Sequence, residues 1–198
     1  ILEASFRRDG SVAFPTSKKY GVFPAVSVGW RLSEEDFIQK NDRLRFIDNL
    51  KLRASYGVVG NDRNVYYGRR PTFQYQQVFN PSGSIISGTT SLSSISPGIL
   101  PNPNVSWEKA AITDVGLEGA LWNGILQFEL DWFYKRTSNI LRSRIRSIPA
   151  TLGAQLPAEN YAVVDNTGLE IVIYKFNKWP FLRWSHRLKI YYHCVNNE

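Results

Sequence analysis

The sequence lacks several features that would indicate common protein classes. Its 198 residues include one cysteine, Cys194, which excludes an internal disulfide and a cysteine zinc cluster. No uninterrupted apolar run approaches the roughly 18 residues that a membrane-spanning helix needs. A helical membrane segment is therefore excluded, whereas a membrane β-barrel is not, because its strands alternate apolar and polar residues.

Methionine and a secretion signal are missing as well. The chain contains no methionine, and no basic segment followed by an apolar stretch precedes the first strand-like pattern. It begins in the middle of that pattern at Ile1. We therefore expect these residues to be a piece of a longer polypeptide.

The positive charge of the chain is dispersed rather than clustered. Lys and Arg total 24 against 17 Asp and Glu, which gives a net charge of +7. The cations stand among acids and alternate with apolar residues, as Lys51 and Arg53 do. No recognition helix or other nucleic-acid module accompanies them, so we predict no nucleic-acid partner.

Period-two alternation of apolar and polar residues is the dominant pattern, and it predicts antiparallel strands. Between Leu50 and Val58, for example, every second residue is apolar or aromatic. The same pattern, weaker in the first and fourth cases, predicts seven strands at 1–7, 22–32, 48–59, 108–121, 125–136, 167–176 and 182–194. These strands are close to the length of about nine to eleven residues that a tilted strand needs to cross a bilayer.

The connections differ between the two ends of these strands. Asn123-Gly124 is a strong two-residue hairpin signal, and 176–180 is a second short link. A third link, 33–47, begins with Glu34, Glu35 and Asp36, which favour a helix start or a solvated turn over a catalytic pair. The opposite ends carry the loops 8–20, 61–104 and 137–165, rich in Gly, Ser, Pro, Asn and Tyr. Outer-membrane barrels show this asymmetry, although alternation alone also fits a soluble sandwich.

Aromatic residues cluster near the predicted strand ends. The set consists of Phe23, Trp30, Trp107, Trp122, Trp132, Phe133, Trp179 and Trp184. Membrane barrels place such residues in girdles at both bilayer interfaces, whereas soluble proteins bury them in a core. For any one of these residues the sequence leaves both possibilities open.

Six segments, taken in chain order, carry a family resemblance. They are Phe6–Ser11, Tyr20–Glu35, Leu50–Asn61, Pro101–Glu108, Asp131–Leu141 and Asn166–Glu170. Together they resemble the C-terminal barrel region of the SusC/RagA family of TonB-linked outer-membrane proteins of Bacteroidetes. The resemblance covers most of the chain and weakens after about Tyr174.

This resemblance implies an antiparallel transmembrane β-barrel of 22 strands with an N-terminal plug domain. It also implies a place in the cell outer membrane, a SusD-like surface lipoprotein as partner and energy supplied through TonB. The cargo would be oligosaccharides or, in some members, peptides. Residues 1–198 would then be a partial barrel domain of about seven strands, with the plug and the remaining strands absent from it.

No catalytic constellation stands out in the sequence. A G-x-S-x-G elbow and a G-x-x-x-x-G-K-[ST] phosphate loop are both absent. His186 and His193 are seven residues apart, so they point to opposite faces of one strand. Residues 7–10 (Arg-Arg-Asp-Gly) favour a solvated turn. We therefore predict neither enzymatic activity nor a bound cofactor or metal.

Strand parity predicts a charged lumen face. It contains Arg31, Lys51, Arg53, Glu108, Asp114, Glu118, Glu129, Asp131 and Lys135. Because both signs occur, we expect these side chains to pair with one another or with the plug. As ligand contacts we name only three loop tyrosines, Tyr66, Tyr67 and Tyr75, which can stack on sugar rings. The alternative function is a soluble antiparallel β-sandwich that binds carbohydrate.

Overall fold

The computed structural model describes residues 1–63, 73–143, 154–179 and 182–197, with the backbone alone at 177–179, 182–187 and 197. In chain order the strands are β1 (Leu2–Gly10), β2 (Tyr20–Arg31), β3 (Ile47–Asn61), β4 (Phe79–Ser87), β5 (Thr90–Pro97), β6 (Glu108–Leu121), β7 (Leu126–Arg142), β8 (Glu159–Trp179) and β9 (Leu182–Asn197). Seven of them form one sheet in the order β1-β2-β3-β6-β7-β8-β9. Every pair in it is antiparallel, so the predicted fold class is confirmed. None of the helices in the described ranges is long and apolar enough to span a membrane.

All seven predicted strands are present, but most are longer than the sequence suggested. β7 continues to Arg142 and β8 begins at Glu159, so much of the predicted loop 137–165 is paired strand. The pairing crosses two irregularities between Thr137 and Leu141. β8 also continues through 176–179, which the sequence assigned to a short link. These extensions are rich in Ser, Asn and charged residues, and such residues interrupt the alternation on which the prediction depended.

The predicted turn at 7–10 is wrong, because these residues complete β1. Arg7 faces Phe23 and Gly10 faces Tyr20 across the β1–β2 pair. Arg7 and Asp9 are two residues apart and so lie on the same face of the strand, where Arg7 Nε is 2.8 Å from Asp9 Oδ2. The loop that follows begins only at Ser11.

The predicted loop 61–104 contains a hairpin that sequence analysis missed. β4 and β5 pair with each other and not with the large sheet, and Gly88 and Thr89 form the two-residue link between them. Gly88 has φ of +66°, a conformation that favours glycine in tight turns. Almost all side chains of this hairpin are exposed, so it shows none of the alternation in burial that marks a strand of the sheet.

The short link at 122–125 is a hairpin as predicted, but it has four residues instead of two. Leu121 pairs with Leu126, and Trp122, Asn123 and Gly124 all have positive φ. The turn is held by two outside contacts. The Trp122 N–H donates to the Phe46 carbonyl at 2.8 Å, and the Gly124 N–H donates to Asp48 Oδ2 at 2.8 Å.

The link between β2 and β3 contains the predicted short helix, α1 (Asp36–Gln39), flanked by 3-10 turns at Leu32–Glu34 and Asp42–Leu44. Its acids make exposed surface contacts. Glu35 accepts a hydrogen bond from Trp30 Nε1 at 2.8 Å, and Asp36 pairs with Lys40. The acids therefore begin a solvated helix, and the prediction is confirmed.

The sheet has one apolar and one polar face. Cross-strand pairs place apolar and aromatic residues in rows that run from strand to strand. One complete row is Leu2, Val28, Ala54, Val115, Trp132, Leu169 and Tyr192. The next row is Trp30, Leu52, Leu117, Leu130, Ile171 and Ile190. In the first row Trp132 is 42% and Tyr192 66% exposed, so no second layer of described residues covers this face.

The buried core lies at the end of the sheet that carries the long loops. It comprises Phe14, Phe23, Val105, Trp107, Leu141 and Ala158. The Trp107 ring packs 5.2 Å from Phe14 and 5.4 Å from Phe23, measured between ring centroids. Phe23 and Trp107 are therefore core residues, whereas Trp30 and Trp132 are exposed on the apolar face. The side chains of Trp179 and Trp184 lie outside the described residues.

Candidate functional site

The polar face contains a network of charged side chains centred on Arg53 of β3. Arg53 faces Gly29 of β2 on one side and Gly116 of β6 on the other, and Gly116 in turn faces Asp131 of β7. The charge network is defined as Lys51, Arg53, Asp114, Glu118 and Asp131. Strand alternation places all five on one face, because their positions in the register differ by even numbers.

Arg53 contacts three carboxylates at once. Its Nη1 donates to Asp114 Oδ1 at 3.1 Å, and its Nη2 donates to Asp131 Oδ1. Its Nε lies 2.9 Å from Glu118 Oε1, but the N–H is not directed at that oxygen, so this contact is an ion pair without a hydrogen bond. Lys51 adds a second cation, 3.6 Å from Glu118. Two cations therefore face three anions, and the network has a net charge of −1.

Gly116 makes this geometry possible. A Cβ added there would come within 2.6 Å of Arg53 Nε and would also overlap the Asp131 carboxylate. With no side chain in the way, the Arg53 guanidinium reaches over β6 to a carboxylate two strands away. A glycine in the middle of a strand often marks such a close approach.

The nine predicted lumen residues all lie on this one face. Arg31, Lys51, Glu118 and Glu129 form one continuous cross-strand row, and Asp131 and Asp114 lie in the next two. Glu108 faces Asn61 of β3, and Lys135 faces Ile112 of β6. The shared face is thus confirmed, and mutual pairing is confirmed for Lys51, Arg53, Asp114, Glu118 and Asp131, whereas Arg31 pairs with Glu34 outside the set.

Beside the charge network, the polar face is lined by small residues. Shallow grooves of about 310 and 240 Å³ run along β1, β2 and β3. Small residues contribute much of the lining of the larger groove, among them Ser5, Ala25, Ser27, Ser55 and Gly57. The groove of about 240 Å³ is also lined by Lys51, Arg53 and Asp114, so the Ser27 and Ser55 hydroxyl groups lie there beside the fixed charge of the network.

At the long-loop end, the segment Pro101–Asn104 joins several loops. Asn102 is buried, and its Nδ2 donates to the Ala158 carbonyl at 2.8 Å. Its backbone N–H donates to the Gln74 carbonyl at 2.7 Å. Lys18 in the first loop donates to the Asn104 carbonyl at 2.9 Å. Sequence analysis used this segment only as a family marker, although Pro and Asn side by side are a signal for a fixed turn.

The predicted ligand contacts are only partly within the described residues. Tyr66 and Tyr67 lie outside them. Tyr75 is half-buried, packs against the core, and has its ring centroid 6.2 Å from that of Phe73. Its part in ligand contact stays a prediction.

His193 and Cys194, at the end of β9, have ordinary structural surroundings. His193 Nε2 lies 4.0 Å from Glu170 Oε1, and the centroid of its ring lies 5.3 Å from that of the Phe133 ring. Cys194 Sγ lies 3.9 Å from Asn196. Among the described residues, no three His, Cys, Asp or Glu side chains are grouped to hold a metal ion. The side chain of His186 lies outside the described residues.

Comparison with known proteins gives a consistent result. The family model described as "TonB dependent receptor-like, beta-barrel" matches residues 1–192. A TonB-dependent receptor of Formosa agariphila is 31% identical over 175 residues, which cover 86% of this chain and 16% of that protein. The TonB-dependent receptor SusC of Bacteroides thetaiotaomicron is 27% identical over 198 residues, with coverage of 94% and 19%.

The fold is also shared with a solved structure. The RagAB peptide importer in its open-open state superposes with a TM-score of 0.81 at 21% identity, over 99% of this chain and 20% of the matched one. The chain thus spans about a sixth to a fifth of the proteins it matches.

Proposed function

The chain belongs to the TonB-dependent receptor-like β-barrel family, and on that premise we propose that it forms part of the wall of a nutrient importer. The proteins of this family are located in the outer membrane, and so is this chain. The apolar face meets lipid and the polar face lines the lumen. The whole importer would take up nutrients too large for passive pores.

The observation that carries this proposal is the two-sided sheet. One row of apolar residues crosses all seven strands on one face and a second crosses six, and most of their side chains are exposed, while the charge network occupies the other face. A soluble sandwich would bury those rows under a second sheet. The only other sheet among the described residues is the two-stranded β4–β5 hairpin, whose side chains are almost all exposed, so the carbohydrate-binding sandwich is not supported.

In the complete protein we expect the remaining strands to close the barrel and a plug domain to fill it. The network then faces the plug, and its net negative charge suits basic plug residues. Energy would reach the plug through TonB. A SusD-like lipoprotein would cover the long-loop end, a partnership supported by the similarity to SusC and to RagAB.

The cargo we propose is an oligosaccharide or a peptide. RagAB is described as a peptide importer, and its low identity to this chain supports only a shared fold. Nothing in the charge network resembles a catalytic pair, since each carboxylate is engaged by Arg53. The chain therefore contributes gated passage instead of bond chemistry, and the long loops, including Tyr66, Tyr67 and Tyr75, would contact the cargo.

The test is to fractionate cells that express the full-length protein. We expect it to co-sediment with outer membranes and to migrate faster on gels before boiling than after, because folded barrels are compact and resist detergent. Uptake of labelled oligosaccharides and peptides, compared with a deletion strain, would identify the cargo class. Recovery of the full-length protein in the soluble fraction would overturn the proposal.

A further inference from the structure

On the apolar face, the charged side chains that the structure describes are confined to the two ends of the strands. At the long-loop end these are chiefly three cations, Arg8, Lys109 and Arg136, with one acid, Asp165. The apolar rows between that end and the short turns contain no charge among the described side chains. A border of mostly positive charge therefore lies where the apolar surface stops.

Lys109 and Arg136 are close neighbours in this border. Lys109 faces Ser138 across the β6–β7 pair, and Arg136 faces Ala111, two residues away on each strand. Such diagonal positions are about 7–8 Å apart. Arg8 is on the same face but on the edge strand β1, where it faces Val22 of β2. It lies three strands away from Lys109.

Two of these cations, Arg8 and Lys109, are less neutralised than Lys51 and Arg53 of the charge network. Arg8 and Lys109 are exposed and have no carboxylate partner within the described part of the chain. The Arg8 guanidinium lies 4.4 Å from the centroid of the Tyr20 ring. Arg136 is 3.6 Å from Asp165 and remains about half exposed. By contrast Arg7, the neighbour of Arg8 on the polar face, pairs with Asp9 at 2.8 Å.

We propose that Arg8, Lys109 and Arg136 bind lipid phosphate in the headgroup layer at the long-loop side of the membrane. The inference rests on the proposed function, because it requires the apolar face to meet lipid. Guanidinium and ammonium groups are the usual protein ligands of phosphate. The three cations lie where the apolar rows end, which is the level of the lipid headgroups. Tyr20, beside Arg8, is an aromatic residue of the kind typical of that interface.

The experiment uses the complete protein, purified in detergent and titrated with lipid A or with dephosphorylated lipid A, with native mass spectrometry as the readout. We expect the phosphorylated lipid to bind more tightly and its binding to weaken with added salt. The variant R8Q/K109Q removes two cations and leaves the Arg136–Asp165 pair intact. Each lost charge is expected to weaken binding about fivefold.

The matched controls are K135Q, next to Arg136 but on the opposite face, and K175Q, on the same face at the short-turn end. Both should bind the phosphorylated lipid as the unmodified protein does. Equal affinity of the unmodified protein for the two lipids would overturn the inference, as would equal weakening by K135Q. So would full displacement of lipid by inorganic phosphate at equal concentration, which would indicate a site for the free ion.

The two proposals fail in different ways. If the full-length protein migrates as a folded barrel but binds both lipids equally, only the lipid site is lost. If it forms no barrel, the proposed function itself is lost. Should R8Q/K109Q fail to assemble, two other measurements test the lipid site. The charge-preserving variant R8K/K109R should bind the phosphorylated lipid as the unmodified protein does, and the unmodified protein should bind the phosphorylated lipid more tightly than the dephosphorylated one.

Discussion

Gly116 shows how a single missing side chain shapes the polar face. It lies between Arg53 and Asp131 in one cross-strand row, and the guanidinium passes over it. Phe133 similarly lies over Gly168 to reach the His193 ring. In both cases a glycine on the middle strand lets large side chains on the two flanking strands contact each other. A side chain at the glycine position would block that contact.

The Gly116→Ala variant of the full-length protein is expected to lose about 1–3 kcal/mol of stability, because the new methyl group displaces the Arg53 guanidinium or the Asp131 carboxylate. Thermal loss of the folded band on unboiled gels measures the effect. Gly29→Ala is the control in the same row, since its Cβ meets only the flexible Lys51 side chain at 3.5 Å. Equal stability of the two variants would contradict this account of the network.

At the scale of the strand, alternation assigns adjacent residues to opposite environments. Leu130→Arg places a charge in an apolar row, at an expected cost of about 2–4 kcal/mol near the middle of the bilayer. Glu129→Arg, one residue earlier on β7, changes charge on the polar face and should assemble normally. Outer-membrane yield and gel migration compare the two variants, and similar tolerance of both would contradict the assigned faces.

The loops at the long-loop end depend on a buried asparagine. In Asn102→Ala the Ala158 carbonyl loses its donor and the Asn104 N–H loses its acceptor. We expect a local loss of about 1–3 kcal/mol and faster hydrogen exchange at 154–158, with the strands unaffected. Asn104→Ala serves as the control, because Asn104 is exposed. Unchanged exchange in Asn102→Ala would show that the loops are held by apolar packing alone.

The strands of the sheet were predictable because alternation, strand length and turn residues all agree there. The β4–β5 hairpin was not, because no described residue covers most of its side chains and its Ser-rich sequence shows no apolar face. The charged residues were placed correctly on one face, since parity is a property of each strand. The grouping of Asp114, Glu118 and Asp131 around Arg53 was not predictable, because it depends on the register between strands 60 to 80 residues apart.

As a whole, the described sheet is open, with β1 and β9 at its edges and an exposed apolar face. Residues 1–198 made alone are therefore expected to associate in water, because edges and apolar rows pair with other copies. Sedimentation velocity with and without detergent would detect this. A freely dispersed monomer without detergent would contradict the lipid-facing assignment.

Because β3 and β6 are adjacent in the sheet, the segment between them is structurally independent of the strand pairing. The chain leaves the sheet after Asn61, builds its own hairpin, and returns at Glu108 opposite the residue where it left. Asn61 and Glu108 form the last pair of the β3–β6 ladder, so the segment between them can change in length and sequence without altering that ladder.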